Sequence, residues 1–349
     1  MKTIRIEASE PYNVIIGRGL LDNCGDTVAE VLKSKHTVVV SDDTVYSLYG
    51  EKLERALKKS GFTVDSFVFP HGEESKCHKT LMALYDFLAE KNITRSDSLI
   101  ALGGGVTGDL TGFAAATFLR GIDYVQVPTT LLAQIDSSVG GKTAVDISGG
   151  KNLVGAFKQP KLVLADVDTL STLSEDIFAD GMGEAVKYGM IYSKELFDLL
   201  KTGKVKKKLE EVIEACVDIK RQVVENDEFD LGLRMILNFG HTLGHSIEKY
   251  YNYNGISHGK AVAVGMYLMT RAAEKKGIIE ASISGELKEC LIVNGLPYET
   301  DVPDEALFKG SVNDKKRFSD NINLIICKEI GKAEIVKTAV SEFEKLICG

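Results

Sequence analysis

The first half of the chain alternates short apolar, β-rich runs with amphipathic segments. Thr37–Ser41, Val64–Phe69, Ser98–Leu102, Tyr124–Val127 and Leu162–Ala165 read as strands. Between them, Tyr49–Ser60 and Lys79–Lys91 carry apolar residues at helical spacing, and a Gly or Asn closes each. This alternation predicts a mostly parallel sheet with helices on both faces. Residues 1–17 read as two short alternating strands, not as a targeting segment. From about Ser174 long helical patterns take over: Ser193–Leu200, Val205–Val224, Leu233–Tyr250, Gly259–Lys276 and Ile283–Asn294. Only Asn323–Cys327 and Ala333–Lys337 return to a β-like pattern. The boundary falls near residue 178, giving an α/β domain over 1–178 and a mostly helical domain over 179–349.

Composition narrows the function classes. With 42 Lys and Arg against 50 Asp and Glu, the net charge is −8. That argues against general nucleic-acid binding, while leaving room for a local cationic pocket. No run approaches the ~20 apolar residues of a membrane helix, so no membrane partner is expected. The six cysteines are scattered without a CxxC pair, which indicates neither a disulfide framework nor a cysteine zinc site and suits a reducing cytoplasm.

Glycine concentrates where chemistry is expected. In Leu99–Asp109 (LIALGGGVTGD), a strand runs through a glycine turn into a helix, and Gly103, Gly105 and Gly108 satisfy GxGxxG. Such a turn lets backbone approach a pyrophosphate, or it merely packs helix against strand. Asp42 ends an earlier strand, where a carboxylate accepts from ribose hydroxyls, and residues 72–76 (GEESK) make a further polar turn. Residues 128–157 hold two Gly-Gly-Lys units ending at Lys142 and Lys151, with Asp136 and Asp146 nearby. Glycine pairs followed by lysine suit phosphate or carboxylate oxygens; two lysines on flexible loops are the bland alternative.

In the second half, Glu184 and Lys187 lie three apart on one helix face, which by itself reads as a surface pair. His241 and His245 stand at i and i+4, and His258 enters the next apolar helix. HxxxH is as compatible with structure as with a metal, but the third histidine and Glu184 make a mixed His/His/Glu site the better reading.

Six stretches resemble, in order, the 3-dehydroquinate synthase family of sugar phosphate cyclases: GGGVTGD, RGIDYVQVPTTLLAQIDSSVGGKTAVD, GGKNLVGAF, GEAVKYG, LRMILNFGHTLGHSIE and SHGKAVAVGM. The resemblance implies a Rossmann-like N-terminal domain binding NAD and a mostly helical C-terminal domain binding zinc or cobalt. Glu184, His241 and His258 would be the metal ligands, leaving His245 for chemistry. Asp42, Glu73, Lys76, Gly104, Gly105 to Asp109, Thr129, Thr130, Lys142, Lys151, Thr169, Leu170 and Thr172 match the family's NAD contacts. Asp136, Lys142, Asn152, Lys187, Lys220, Arg234, Asn238, His245 and Lys315 or Lys316 match its substrate pocket. Arg120 would reach the phosphate in the neighbouring subunit of a homodimer. TAVD at 143–146 replaces a usual TGVN, Ser174 replaces a common proline, and Asp230 stands where glutamate is common.

The implied substrate is an anionic sugar phosphate, 3-deoxy-D-arabino-heptulosonate 7-phosphate, and the product 3-dehydroquinate, in the shikimate route to aromatic amino acids. The implied path is transient oxidation by NAD, phosphate elimination, re-reduction, ring opening and intramolecular aldol closure. Three other readings compete. A metal-dependent polyol dehydrogenase shares the plan but needs no anion clamp. A related cyclase making an inosose or valiolone takes a substrate without the carboxylate. A nucleotide-binding regulator would not need every ligand and proton-relay candidate.

Overall fold

Among the described residues eleven strands are formed: β1 (Lys2–Ile6), β2 (Tyr12–Gly17), β3 (His36–Asp42), β4 (Thr63–Phe69), β5 (Ser98–Gly103), β6 (Asp123–Pro128), β7 (Lys142–Ile147), β8 (Gly150–Phe157), β9 (Leu162–Asp166), β10 (Asn321–Glu329) and β11 (Lys332–Ala339). The computed structural model describes residues 1–312 and 320–349, in two compact units. One unit is Met1–Leu173 with Lys220–Phe229, the other Ser174–Ile219 with Asp230–Gly349. Sequence reading places a boundary at 178; the units divide at Leu173/Ser174, and the last turns of the Leu209–Asn226 helix belong to the first unit.

In the first unit a seven-stranded sheet has the order β1-β2-β9-β6-β5-β3-β4, parallel except for the β1–β2 hairpin. Its central strands are apolar without alternation because both faces are covered. Val38, Val40 and Leu99 enter one core with Leu84 and Phe113. Val39, Ile100 and Leu102 enter the opposite core with Leu53 and Leu57. Each such burial contributes about 1.5–3 kcal/mol relative to exposure.

Topology selects one place along this sheet. The chain leaves β3 for β4 on one side, and leaves β5 for β6 on the other. Neighbouring parallel strands whose connections diverge open a crevice at their carboxyl ends, where open α/β sheets bind ligands. Those ends are Asp42 and Gly103.

The lysines of the two Gly-Gly-Lys units lie in strands, not on the flexible loops of the alternative reading. Lys142 begins β7 and Lys151 lies in β8, an antiparallel pair separate from the main sheet. The backbone N–H of Gly140 donates to the Tyr12 hydroxyl at 3.0 Å, so that group serves the scaffold.

The second unit is mostly helical, with the β10–β11 hairpin. The His258–Lys275 helix packs against both the Glu175–Tyr192 and His241–Tyr250 helices. Ser174 caps the first of these by accepting the Ile177 N–H at 3.3 Å. Two helix expectations need correction. Leu233–Tyr250 is not continuous: Leu233–Asn238 is a tighter 3₁₀ turn, and the α-helix starts only at His241. Gly240 makes the break, with φ 78°, a conformation that glycine adopts without strain. Val205–Val224 likewise begins as the short turn Val205–Lys207, and its α-helix starts at Leu209.

Candidate functional site

In the first unit, the candidate cofactor residues gather around the sheet's carboxyl edge. Gly104 sits at the N-cap of the Gly105–Thr117 helix without a side-chain cap, so the helix begins as bare backbone N–H groups. A Cβ on Gly105 would press on the Ser137 side chain, its hydroxyl 3.3 Å away. By contrast, a Cβ on Gly108 would lie 2.8 Å from Gln126 Oε1, so this glycine serves helix–strand packing. Asp42 already accepts the Val45 N–H through Oδ1 at 2.9 Å.

Lys76 is 4% exposed and pairs with Asp109 at 2.7 Å, with Glu73 at 3.8 Å. Burial opposes its charge, but the Asp109 and Glu73 carboxylates outweigh it and raise its pKa, keeping it an ammonium. Lys151 reaches the same Glu73 at 3.8 Å. Thr129, Thr169 and Leu170 are buried. The Thr169 hydroxyl donates to Asp166 O and accepts from Gln134 Nε2, while Tyr49 donates to Thr169 O and pairs with the Thr172 hydroxyl. Thr130 caps the next turn, accepting the Ala133 N–H at 3.2 Å.

Among the candidate substrate residues of this unit, Lys220 donates to Asp136 through both the backbone carbonyl, at 2.7 Å, and the carboxylate. Lys142 is exposed at the start of β7. Asn152 is exposed with φ 57°, and its N–H donates to Asp146 at 2.7 Å. Leu119, Arg120 and Gly121 carry φ values of 51°, 68° and 119°, an unusual run for two side-chain-bearing residues. It presents Arg120 at the surface.

The second unit brings three helices together at one point. Glu184 and Lys187, which spacing alone reads as a surface pair, are 0% and 1% exposed and paired with each other. Glu184 Oε1 faces His241 Nε2 at 3.6 Å and His258 Nε2 at 3.7 Å. Donors held ~2.0–2.2 Å from a tetrahedral ion lie roughly 3.3–3.6 Å apart, so this spacing fits a zinc-sized cation after small rotations. The back of each ring is also anchored. Nδ1 of His241 lies 3.2 Å from Phe239 O, and Nδ1 of His258 lies 3.4 Å from a Glu248 carboxylate oxygen. Donation from Nδ1 leaves Nε2 as the lone-pair nitrogen that a metal requires.

The two imidazoles differ in their electrostatics. Burial, followed by Lys187 and the other two histidines, holds His241 well below the usual imidazole range, so it is neutral. Burial also disfavours charge on His258, but Glu248 and Glu184 prevail and push it up to about 9, so near neutral pH the metal-free ring holds a proton on both nitrogens, and a metal would have to displace the one on Nε2. A second donor group, His245, Glu248 and His258, lies alongside; neither group contains both residues of the HxxxH pair. The His245 ring is exposed, 5.3 Å from His241 and 5.8 Å from His258. Arg234 is buried and Asn238 exposed, both in the turn before Gly240. Lys315 and Lys316 lie outside the described residues.

Sequence reasoning missed Glu248 and Asp180. Glu248 is seven residues after His241, a spacing that puts it on the same helix face but does not show which helix that face meets. Asp180, one turn before Glu184, accepts the Gly259 N–H at 2.6 Å and so ties the start of the His258 helix to the Glu184 helix.

Two family models match consecutive parts of the chain. Residues 66–180 match the family model for the 3-dehydroquinate synthase N-terminal region, and residues 181–317 that for its C-terminal region. The chain is 47% identical to a 3-dehydroquinate synthase of Clostridium beijerinckii, covering 98% of this chain and 100% of that one. Identity to one from Lactococcus lactis subsp. cremoris is 44%, covering 97% of each. Among solved structures, a 2-deoxy-scyllo-inosose synthase complexed with carbaglucose-6-phosphate, NAD+ and Co2+ aligns with TM-score 0.86 at 27% identity, covering 99% of each chain. A 2-epi-5-epi-valiolone synthase from Streptomyces hygroscopicus with NAD+ and Zn2+ bound aligns with TM-score 0.87 at 26% identity, covering 96% of this chain and 95% of that one.

Proposed function

Because the chain belongs to the 3-dehydroquinate synthase family, we propose that it converts 3-deoxy-D-arabino-heptulosonate 7-phosphate to 3-dehydroquinate and phosphate. It is a carbon–oxygen lyase dependent on NAD and a divalent metal, zinc or cobalt. The carrying observation is the convergence of Glu184, His241 and His258 beside the buried Lys187, in a chain similar over its whole length to enzymes of that name.

When bound, NAD supplies a hydride acceptor regenerated in each turnover, and the metal supplies Lewis acidity toward a substrate hydroxyl. Glu184, His241 and His258 hold the metal. Asp42, Glu73, Lys76, the Gly104–Gly105 turn, Asp109, Thr129, Thr130, Lys151, Thr169, Leu170 and Thr172 form the cofactor site, with backbone contacts from the buried positions. Lys142, which also meets the cofactor, and Lys220 in the first unit, and Lys187 and Arg234 in the second, supply cations for the substrate's carboxylate and phosphate, and Lys315 or Lys316 adds one more. Asp136 positions Lys220, while Asn152 and Asn238 offer amides to hydroxyls. His245, exposed beside the proposed metal ligands, relays a hydroxyl proton.

Arg120 serves the partner's site in a homodimer. Its surface position on a strained turn supports this reading. A cytoplasmic location belongs to the same proposal and is supported by six free cysteines. Among the described residues no helix is long and apolar enough to cross a membrane.

The test is phosphate release from the heptulosonate phosphate, with and without NAD+ and metal. Release that needs both, with no net NADH, is the expected result. Steady NADH formation from glycerol, without phosphate release, would replace this reading with a polyol dehydrogenase.

A further inference from the structure

We propose that Glu248 is a positioning residue for the metal site, accepting Nδ1–H of His258 and thereby directing that ring's Nε2 toward Glu184. The inference rests on the metal reading given above and concerns a residue outside the ligand set.

His258 is the first residue of its helix, and its side chain is one-third exposed. Packing alone therefore restrains this ring less than that of His241, whose side chain is 14% exposed. A ring with freedom about its side-chain bonds needs a second fixed point to serve as a ligand. Glu248 provides it from the neighbouring helix: its side chain is 7% exposed, and Oε2 lies 3.4 Å from His258 Nδ1. The opposite nitrogen lies 3.7 Å from Glu184 Oε1. One imidazole is thus held between two buried carboxylates on different helices, and the two contacts use different nitrogens. A carboxylate brought into the interior is disfavoured unless hydrogen-bonded, so the Glu248–His258 contact also gives Glu248 a reason to be there.

Position along the helix supports the assignment. His241, His245 and Glu248 follow at i, i+4 and i+7, which places Glu248 on the face that carries the ligand His241. Behind His241 the acceptor is a backbone carbonyl, which no side-chain substitution removes. Behind His258 it is a side chain, so its contribution is measurable.

Glu248 also belongs to the second donor group, with His245 and His258, and direct ligation is the alternative that the experiment must separate. The variants are Glu248→Gln, Glu248→Ala and, as reference, His258→Ala. Each is stripped of metal and titrated with Co2+ against a chromophoric chelator. The visible Co2+ spectrum, the metal content at saturation and the melting temperature of the metal-free protein are recorded alongside. Both Glu248 variants should still hold one Co2+ at saturation. Dissociation constants should rise about 10-fold for Glu248→Gln, whose amide oxygen still accepts from Nδ1–H, and about 100-fold for Glu248→Ala. The Co2+ band should shift in Glu248→Ala and less in Glu248→Gln.

Parental affinity and spectrum in Glu248→Ala would reduce the residue to a packing role, whatever happens to its melting temperature. Complete loss of Co2+ in Glu248→Ala, equal to that in His258→Ala, would make it a direct ligand. Either result overturns the proposal. Should Glu248→Ala fail to fold, the isosteric Glu248→Gln decides by the same two criteria. Failure of the metal reading shows separately, as parental Co2+ affinity in His258→Ala.

Discussion

A Cβ placed on Gly183 would lie 2.3 Å from the carbonyl oxygen of Gly259, so the helices carrying Glu184 and His258 touch backbone to backbone. From the other side, a Cβ on Gly259 would lie 1.8 Å from Asp180 O. Each glycine is the immediate neighbour of a proposed metal ligand. The close approach sets the 3.7 Å between Glu184 Oε1 and His258 Nε2. Gly183→Ala should push the helices apart, costing about 1–3 kcal/mol of stability through overpacking and lowering metal affinity at least tenfold. Gly285→Ala is the control: nothing lies within 4 Å of its added methyl, on another helix. That variant should gain about 0.5–1 kcal/mol with unchanged metal binding. Thermal melting and Co2+ titration of the two proteins check both statements.

The histidines should separate by role. His258→Ala removes a proposed ligand and should abolish both bound metal and turnover. His245→Ala should keep its metal and lose most of the rate, because its ring lies beside the ligand set facing solvent. Elemental analysis together with phosphate release decides; zinc loss in His245→Ala would make the i, i+4 pair a joint chelate.

At the glycine turn, Gly105→Val should weaken NAD+ binding without unfolding the chain, since its Cβ would press on the Ser137 hydroxyl, 3.3 Å away, which can rotate, rather than on the backbone of another element. Gly103 differs: an added Cβ would meet Thr107 Oγ1 at 2.4 Å, so Gly103→Ala should cost stability first. Asp42→Asn should weaken NAD+ only mildly, because an amide still offers one acceptor for a ribose hydroxyl. Calorimetry with NAD+ measures all three, and unchanged affinity in Gly105→Val would remove the phosphate cradle from the proposal.

Arg120 makes a prediction about assembly. Arg120→Ala and His241→Ala should each be nearly inactive alone. Refolded together at equal amounts, random pairing should restore about a quarter of the sites, since half the dimers are mixed and each holds one complete site. Mixed dimers confirmed by mass spectrometry but lacking activity would place Arg120 outside its neighbour's site.

Local sequence determined the strands and most helices, because a period of two or 3.6 is written in consecutive residues. Val38, Val39 and Val40 already state that both faces of β3 are covered, and they divide between two cores. Motif order was equally legible, since the spacing of His241 and His245 or of Gly103, Gly105 and Gly108 needs no third dimension. Tertiary structure alone decided burial. Glu184 and Lys187 are an ordinary i, i+3 pair until the His258 helix closes over them. It also decided the helix break before His241. Gly240 is placed so that a Cβ there would meet Val262 O at 2.6 Å, a constraint from a residue more than twenty positions away. Glu248 and Asp180 stayed silent for the same reason. Each acts on the His258 helix from another helix, and a contact between helices leaves no period in either.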